Sequence, residues 1–142
     1  QKFPAPEFTV TTKVEFNPKM DGDRMGLLVM GMSYAYLGLE QEDGKLHCRL
    51  VRNADAEHGG SNERTESIYL ESGEVYLRVN VVAGGICTFS LSENGRKYQS
   101  IGKAFTGVQG KWIGAKVGLF ALGTEKTNDT GWVDVDWFRV TK

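Results

Sequence analysis

This chain of 142 residues is poor in reactive side chains: it has two cysteines, two histidines and a net charge of −1. Cys48 and Cys87 are too few for a disulfide framework, and their spacing matches no zinc or redox motif. Each shares strand parity with apolar neighbours, Leu46 and Leu50 for the first, Phe89 and Leu91 for the second. Both are therefore expected as buried free thiols, with a single bridge between strands as the alternative, and the compartment stays open. Seventeen Lys and Arg balance eighteen Asp and Glu, so no long-range field draws phosphate backbones or anionic lipid. That argues against nucleic acid and against membrane as partners. The apolar runs fall well short of the ~20 residues a spanning helix needs, and no basic-then-apolar leader opens the sequence. The chain reads as soluble and as starting after any targeting segment. His47 and His58 join no Ser-His-acid arrangement, and the glycine doublets precede no helix that would make a phosphate or dinucleotide loop.

Hydrophobic residues make up 40% of the chain and charged residues 25%, which supports a packed core in one domain and excludes disorder. Helical spacing of apolar residues is almost absent. Eighteen glycines, with many aromatic and β-branched residues, point instead to an all-β domain. Strands are expected at Phe8–Phe16, Met25–Met32, Tyr34–Glu40, Leu46–Val51, Ser67–Glu71, Val75–Val82, Ile86–Ser92, Lys97–Gly102, Ala115–Leu122 and Trp132–Thr141. The nearly unbroken apolar run at Met25–Met32 suits a central strand covered on both faces, or one covered by a neighbouring domain. Asp43-Gly44 supplies a hairpin turn, Asn17–Asp23 a turn through Pro18 and Gly22, and Asn53–Glu63 the longest polar loop. About ten short strands, spaced about ten residues apart, predict two packed antiparallel sheets in a jelly-roll β-sandwich.

Strand parity then sorts the side chains. In the last strand Val133, Val135 and Trp137 fall on one face, and Trp132, Asp134, Asp136 and Phe138 on the other. Tyr76, Arg78 and Asn80 form a second polar-aromatic set, and Tyr34, Tyr36 and Glu40 a third. If these strands share a sheet, the three sets combine into a surface suited to sugars, because aromatic rings stack on pyranose faces and planar polar groups pair with hydroxyls. The competing reading has the same rings covering the sheet or packing on another domain. Asp134 and Asp136 sit at i and i+2, roughly 7 Å apart on a regular strand, a spacing found between the acids of inverting glycosidases. Two acids side by side on one strand do not flank a bond, however, so a structural role is the expectation. Asp21-Gly22-Asp23 and Asn128-Asp129 carry oxygens that would suit a structural calcium, without EF-hand spacing, and are expected as solvated turns; no other cofactor is expected.

The segments QKFPAPEFTVTTKVEF, DGDRMGLLVMG, YAYLGLE, VYLRVNV, FSLSENGRKYQSIG, GKWIGAKVGLFAL and WVDVDWFRV, in that order, span nearly the whole chain. Together they resemble the C-terminal concanavalin-like sandwich domain of family-43 glycoside hydrolases, the β-xylosidase and α-arabinofuranosidase group. The resemblance implies that catalysis resides in a separate five-bladed propeller of the same longer enzyme, and that the sandwich packs on it, helps close its pocket, and in some members binds xylan. The family's domains usually begin further upstream with a Leu- and Arg-rich strand, which implies an incomplete sheet edge or a shorter variant here.

Mapped residue by residue, the resemblance and the parity sets select Arg24, Tyr34, Tyr36, Arg78, Trp112, Trp132 and Asp136 as carbohydrate-binding or propeller-facing residues. For three of these a structural role is the alternative: an Arg24–Asp136 ion pair, and a core position for Trp112 beside Ile113 and Val117. The sequence thus reads as residues 1–142 forming one non-catalytic β-sandwich domain of a family-43 β-xylosidase or α-arabinofuranosidase. Its expected partners are a xylan-type plant cell-wall polysaccharide and the enzyme's own propeller. A purely structural domain and a small glycosidase are the rival readings.

Overall fold

Alternating apolar residues build both sheets of this protein, and the computed structural model describes residues 1–65, 67–107, 114–124 and 131–142. The strands are β1 (Phe8–Asn17), β2 (Arg24–Met30), β3 (Tyr34–Glu42), β4 (Lys45–Asn53), β5 (Glu63–Arg64), β6 (Ile68–Leu70), β7 (Glu74–Val82), β8 (Ile86–Ser92), β9 (Gln99–Thr106), β10 (Lys116–Leu122) and β11 (Trp132–Thr141). A five-stranded antiparallel sheet runs β11-β1-β7-β8-β9, and a six-stranded sheet runs β10-β2-β3-β4-β5 with β6 also pairing β4. The expected all-β sandwich is therefore present. Its departures are small: β5 lies at the end of the predicted polar loop, which also holds a short turn of 3-10 helix at Ala56–His58. No helix among the described residues is long and apolar enough to cross a membrane.

The core lies between the sheets. Phe8, Val10, Val14 and Phe16 of β1 and Val75, Leu77, Val79 and Val81 of β7 face Met25, Leu27 and Val29 of β2 and Ala35, Leu37 and Leu39 of β3, all buried. Burying a side chain of this size stabilises by about 1.5–3 kcal/mol, which is why the period-two pattern fixes the register. The apolar run of β2 is explained by its place between β10 and β3: its odd positions fill the core, and Leu28 is half-buried on the outer face while Met30 is exposed. At the β3–β4 hairpin Asp43 and Gly44 both take positive φ, 52° and 70°, the backbone that a two-residue hairpin turn requires. Residues at the start of the chain also pair along β10, with Lys2 opposite Lys116.

Cys48 projects into the core from the six-stranded sheet and Cys87 from the five-stranded one; both are free and buried. Burial pushes their thiols up to about 12 and about 11. The inter-strand bridge is thus excluded in favour of two inert core thiols.

β11 departs from simple parity. Its register against β1 shifts between Lys13 and Val14, so that Val135 lies opposite Val14 and Trp137 opposite Lys13, leaving Asp136 as the extra residue of a β-bulge. The Thr12 hydroxyl is buried beside this break and donates to the Trp137 carbonyl at 2.8 Å. Past the bulge the faces exchange: Phe138 and Val140 pack against the core, and Trp137 meets Tyr76 outside. The expectation that placed Trp137 with the valines and Phe138 with the acids is corrected by this one inserted residue.

At one end of the sandwich the turn before β2 is tied down by Asp23, only 2% exposed. Its Oδ2 accepts the backbone N–H groups of Lys19 at 3.0 Å, Met20 at 3.1 Å and Gly131 at 3.0 Å. Its own backbone N–H donates to the Met20 carbonyl, and its carbonyl accepts from the Gln41 N–H. Burial raises the carboxyl's affinity for a proton, but the three N–H donors outweigh it and hold the pKa below the ordinary 3.8. A group of this kind contributes stability that is complete above the ordinary value and lost as pH falls through the lower folded value. Asp23→Asn is expected to lose about 1–3 kcal/mol in urea unfolding at pH 7, with the gap to the parent protein narrowing as pH drops below 3.8. An unchanged unfolding midpoint at pH 7 would contradict the role assigned to this carboxylate.

Candidate functional site

The predicted site residues do not form one surface. Arg24, Tyr34 and Tyr36 lie on the six-stranded sheet, whereas Arg78, Trp132 and Asp136 lie on the five-stranded one, so two of the polar-aromatic sets share a sheet and the Tyr34–Tyr36 set belongs to the other layer of the sandwich. Trp112 lies outside the described residues, as does Asn128-Asp129.

On the outer face of the six-stranded sheet, Tyr34 and Tyr36 run parallel with ring centres 6.4 Å apart, and Tyr36 meets Phe120 edge-on at 4.8 Å. Two glycines make room for these rings. Gly26 and Gly38 are register partners, and a Cβ on either would come within 2.8 Å of the Phe120 or the Tyr36 ring respectively. Tyr34 Oη donates to Asn62 Oδ1, and burial raises the Tyr36 hydroxyl pKa against the opposing pull of Arg24 and Arg64. Arg24 stands opposite Glu40 in the β2–β3 register, far in topology from Asp136, which removes the Arg24–Asp136 ion pair. Met30 and Leu122, 45% and 51% exposed, extend this face with apolar surface.

The outer face of the five-stranded sheet is largely committed to itself. Asp136 and Glu74 both pair with Lys13 Nζ, at 3.3 and 3.4 Å, and the Lys13 pKa is raised chiefly by its hydrogen bond to Asp136. The Arg78 guanidinium stacks 3.5 Å from the Tyr98 ring centre while its Nε donates to Thr11 Oγ1 at 2.9 Å. Arg139 lies 4.3 Å over Trp137. The bulge also breaks the regular i, i+2 geometry on which a catalytic Asp134–Asp136 pair depended, and leaves Asp136 as a salt-bridge partner.

A third region was not legible as a site in the sequence. At the end of the sandwich a groove of about 860 Å³ opens between the sheets, floored by Phe16, Leu46 and Leu70. Trp132 lines it from the five-stranded sheet and Tyr69 from the six-stranded one, 53% and 65% exposed. Tyr69 packs against His47 at 4.6 Å, with the Lys45 ammonium 5.7 Å from its ring centre. A smaller hollow of about 310 Å³ contains the Arg52–Glu63 ion pair, closed at 2.7 Å. Asp21, raised as a calcium ligand, accepts instead from the Gly44 N–H at 3.0 Å and from Gln41 Nε2 at 3.3 Å. Among the described residues no three His, Cys, Asp or Glu side chains gather in a way that would hold a metal ion.

Residues 1–141 match the family described as the beta xylosidase C-terminal concanavalin A-like domain. The chain belongs to that family. As a C-terminal domain of this kind it is similar to a beta-xylosidase of Formosa agariphila, 26% identical over 131 residues, which amount to 92% of this chain and 20% of that protein. Its fold superposes on a bifunctional GH43-CE protein of Bacteroides eggerthii with a TM-score of 0.84, at 21% identity over 99% of this chain and 18% of the other. A xylan beta-1,4-xylosidase from Bacillus halodurans gives 0.80 at 18% identity, covering 99% of this chain and 28% of that one. The C-terminal domain thus spans about a fifth of the curated relative's length.

The paired glycines give this domain a direct test. A Cβ on Gly26 would meet the Leu37 carbonyl as well as Phe120, both at 2.8 Å, whereas on Gly38 the close contact is the Tyr36 ring alone, with the Met25 carbonyl at 3.4 Å. Backbone cannot yield as a ring can. Gly26→Ala is expected to lower stability by about 1–3 kcal/mol in thermal or urea unfolding, Gly38→Ala by less, and Phe120→Ala to relieve Gly26→Ala only in part. Equal costs at the two glycines would refute this packing.

Proposed function

We propose that this chain is a non-catalytic accessory domain of a longer, xylan-degrading family-43 glycoside hydrolase, where it binds xylan or xylo-oligosaccharide and supports the catalytic propeller. The observation that carries this reading is the match of residues 1–141 to a domain family named for its place at the C-terminus of β-xylosidases, together with the small share of the Formosa protein that the chain spans. Exposed aromatic rings beside planar polar groups supply the chemistry that sugars require. The parent enzyme on this reading is a β-xylosidase or an α-arabinofuranosidase, and its propeller is the partner of the same chain.

The support role has an observation of its own. Met30 and Leu122, each about half exposed, flank the Tyr36–Phe120 pair on the six-stranded sheet, and such an apolar face suits burial against a neighbouring domain better than contact with water. On this reading the six-stranded face meets the propeller and leaves the remaining surface for polysaccharide.

Calorimetric titration of the domain with xylohexaose, arabinoxylan oligosaccharides and cello-oligosaccharides, with reducing ends measured in the same samples, tests the reading. Saturable heat from the xylose-based ligands without new reducing ends is expected. New reducing ends would overturn the non-catalytic assignment, and no heat across the panel would overturn sugar binding and leave the support role.

A further inference from the structure

Resting on the carbohydrate-binding reading above, we propose that the sugar site is the groove at the end of the sandwich, with Trp132 and Tyr69 as its stacking platforms for a β-linked xylo-oligosaccharide. Ring availability singles out this groove. Tyr36 is half-buried and receives the edge of Phe120; Trp137 is covered by Arg139, Tyr76 is partly buried beside Trp137, and Tyr98 is covered by Arg78. Trp132 remains 53% exposed, and Tyr69 remains 65% exposed even with His47 packed against it and the Lys45 ammonium 5.7 Å from its ring centre; both line one groove. Stacking on a pyranose needs an open ring face, because the favourable contact is between the C–H groups of the sugar and the π-surface.

The groove's lining supplies the other half of the recognition. Lys45 and Glu71, the first from β4 and the second just beyond β6, place a donor and an acceptor within the same hollow as the two rings. Gln41 contributes a planar amide, and Asn17, the register partner of Trp132, a second. Hydroxyls that pair with such groups fix the orientation of a sugar whose faces are held by the rings. A volume of about 860 Å³ falls within the range of ligand clefts and accommodates a short oligosaccharide.

The segments that form the groove are pre-set. Asp23 binds the N–H groups of Lys19 and Gly131 with its carboxylate and that of Gln41 with its carbonyl. Lys19 and Gln41 line the groove, and Trp132 directly follows Gly131. One buried residue therefore holds three walls in place before ligand arrives, which lowers the ordering cost of binding.

Affinity electrophoresis on soluble xylan and calorimetry with xylohexaose test this on the parent protein and on Trp132→Ala, Tyr69→Ala, Tyr69→Phe and Tyr36→Ala, each checked for folding by circular dichroism. Trp132→Ala and Tyr69→Ala are each expected to weaken binding about tenfold or more, while Tyr69→Phe, which keeps the ring, and Tyr36→Ala stay within about twofold. Binding that survives both groove variants but falls with Tyr36→Ala would overturn the groove and keep the carbohydrate-binding reading. Absence of binding by the parent protein itself would overturn both.

Discussion

The Asp23 carboxylate, buried where the chain enters β2, accepts three backbone N–H groups, two from residues 19–20 of its own turn and one from the distant Gly131. A carboxylate out of water is costly unless such donors replace its hydration; here all three meet Oδ2, Oδ1 is buried without a partner among the described residues, and the donors still favour the charged form despite burial. The arrangement joins the turn after β1 to the start of β11, and through the Asp23 carbonyl it reaches Gln41 near the end of β3. Both sheets are thereby fixed to one another at a single end of the sandwich, and that is the end at which the groove opens.

The remainder of the surface follows from how each sheet deals with its outer face. The six-stranded sheet lays Tyr36 and Phe120 over two glycines and surrounds them with Met30 and Leu122, which gives an apolar face. The five-stranded sheet covers its rings with cations and ties Lys13 between Glu74 and Asp136, which gives a polar one. Isolated exposed ion pairs add little stability, so their effect here is mainly to occupy the rings and acids that would otherwise be available to a ligand. The two faces and the groove thus have different chemistry.

The fold was legible because strands announce themselves by period two: β3, β7 and β8 are patterned enough that their inward residues follow from position alone, and Asp43-Gly44 marks its hairpin. The candidate site was legible only in pieces. Parity cannot say which sheet a strand joins, so Tyr36 and Arg78 were combined although they lie in different layers. A bulge has no signature in the WVDVDWFRV segment, so Trp137 and Phe138 were assigned to each other's faces. In the DGDR segment the family resemblance points to Arg24, while the residue that organises the structure is Asp23, whose role depends on a partner 108 positions away. Nothing in its short strand marks Tyr69, because exposure of one ring is a property of the folded edge. Gly26 and Gly38 were the available signal for Phe120 and Tyr36, since glycine inside an apolar strand marks a place where something packs close.

On the reading proposed above, ligand enters the groove that Asp23 holds open. Mapping backbone amide shifts of the isotopically labelled domain during titration with xylohexaose tests it most directly. The account predicts saturable shifts grouped at residues 16–19, 41–46, 69–73 and 131–132, with the outer face of β2 and β3 silent. Shifts confined to residues 24–40 and 116–122 would contradict it.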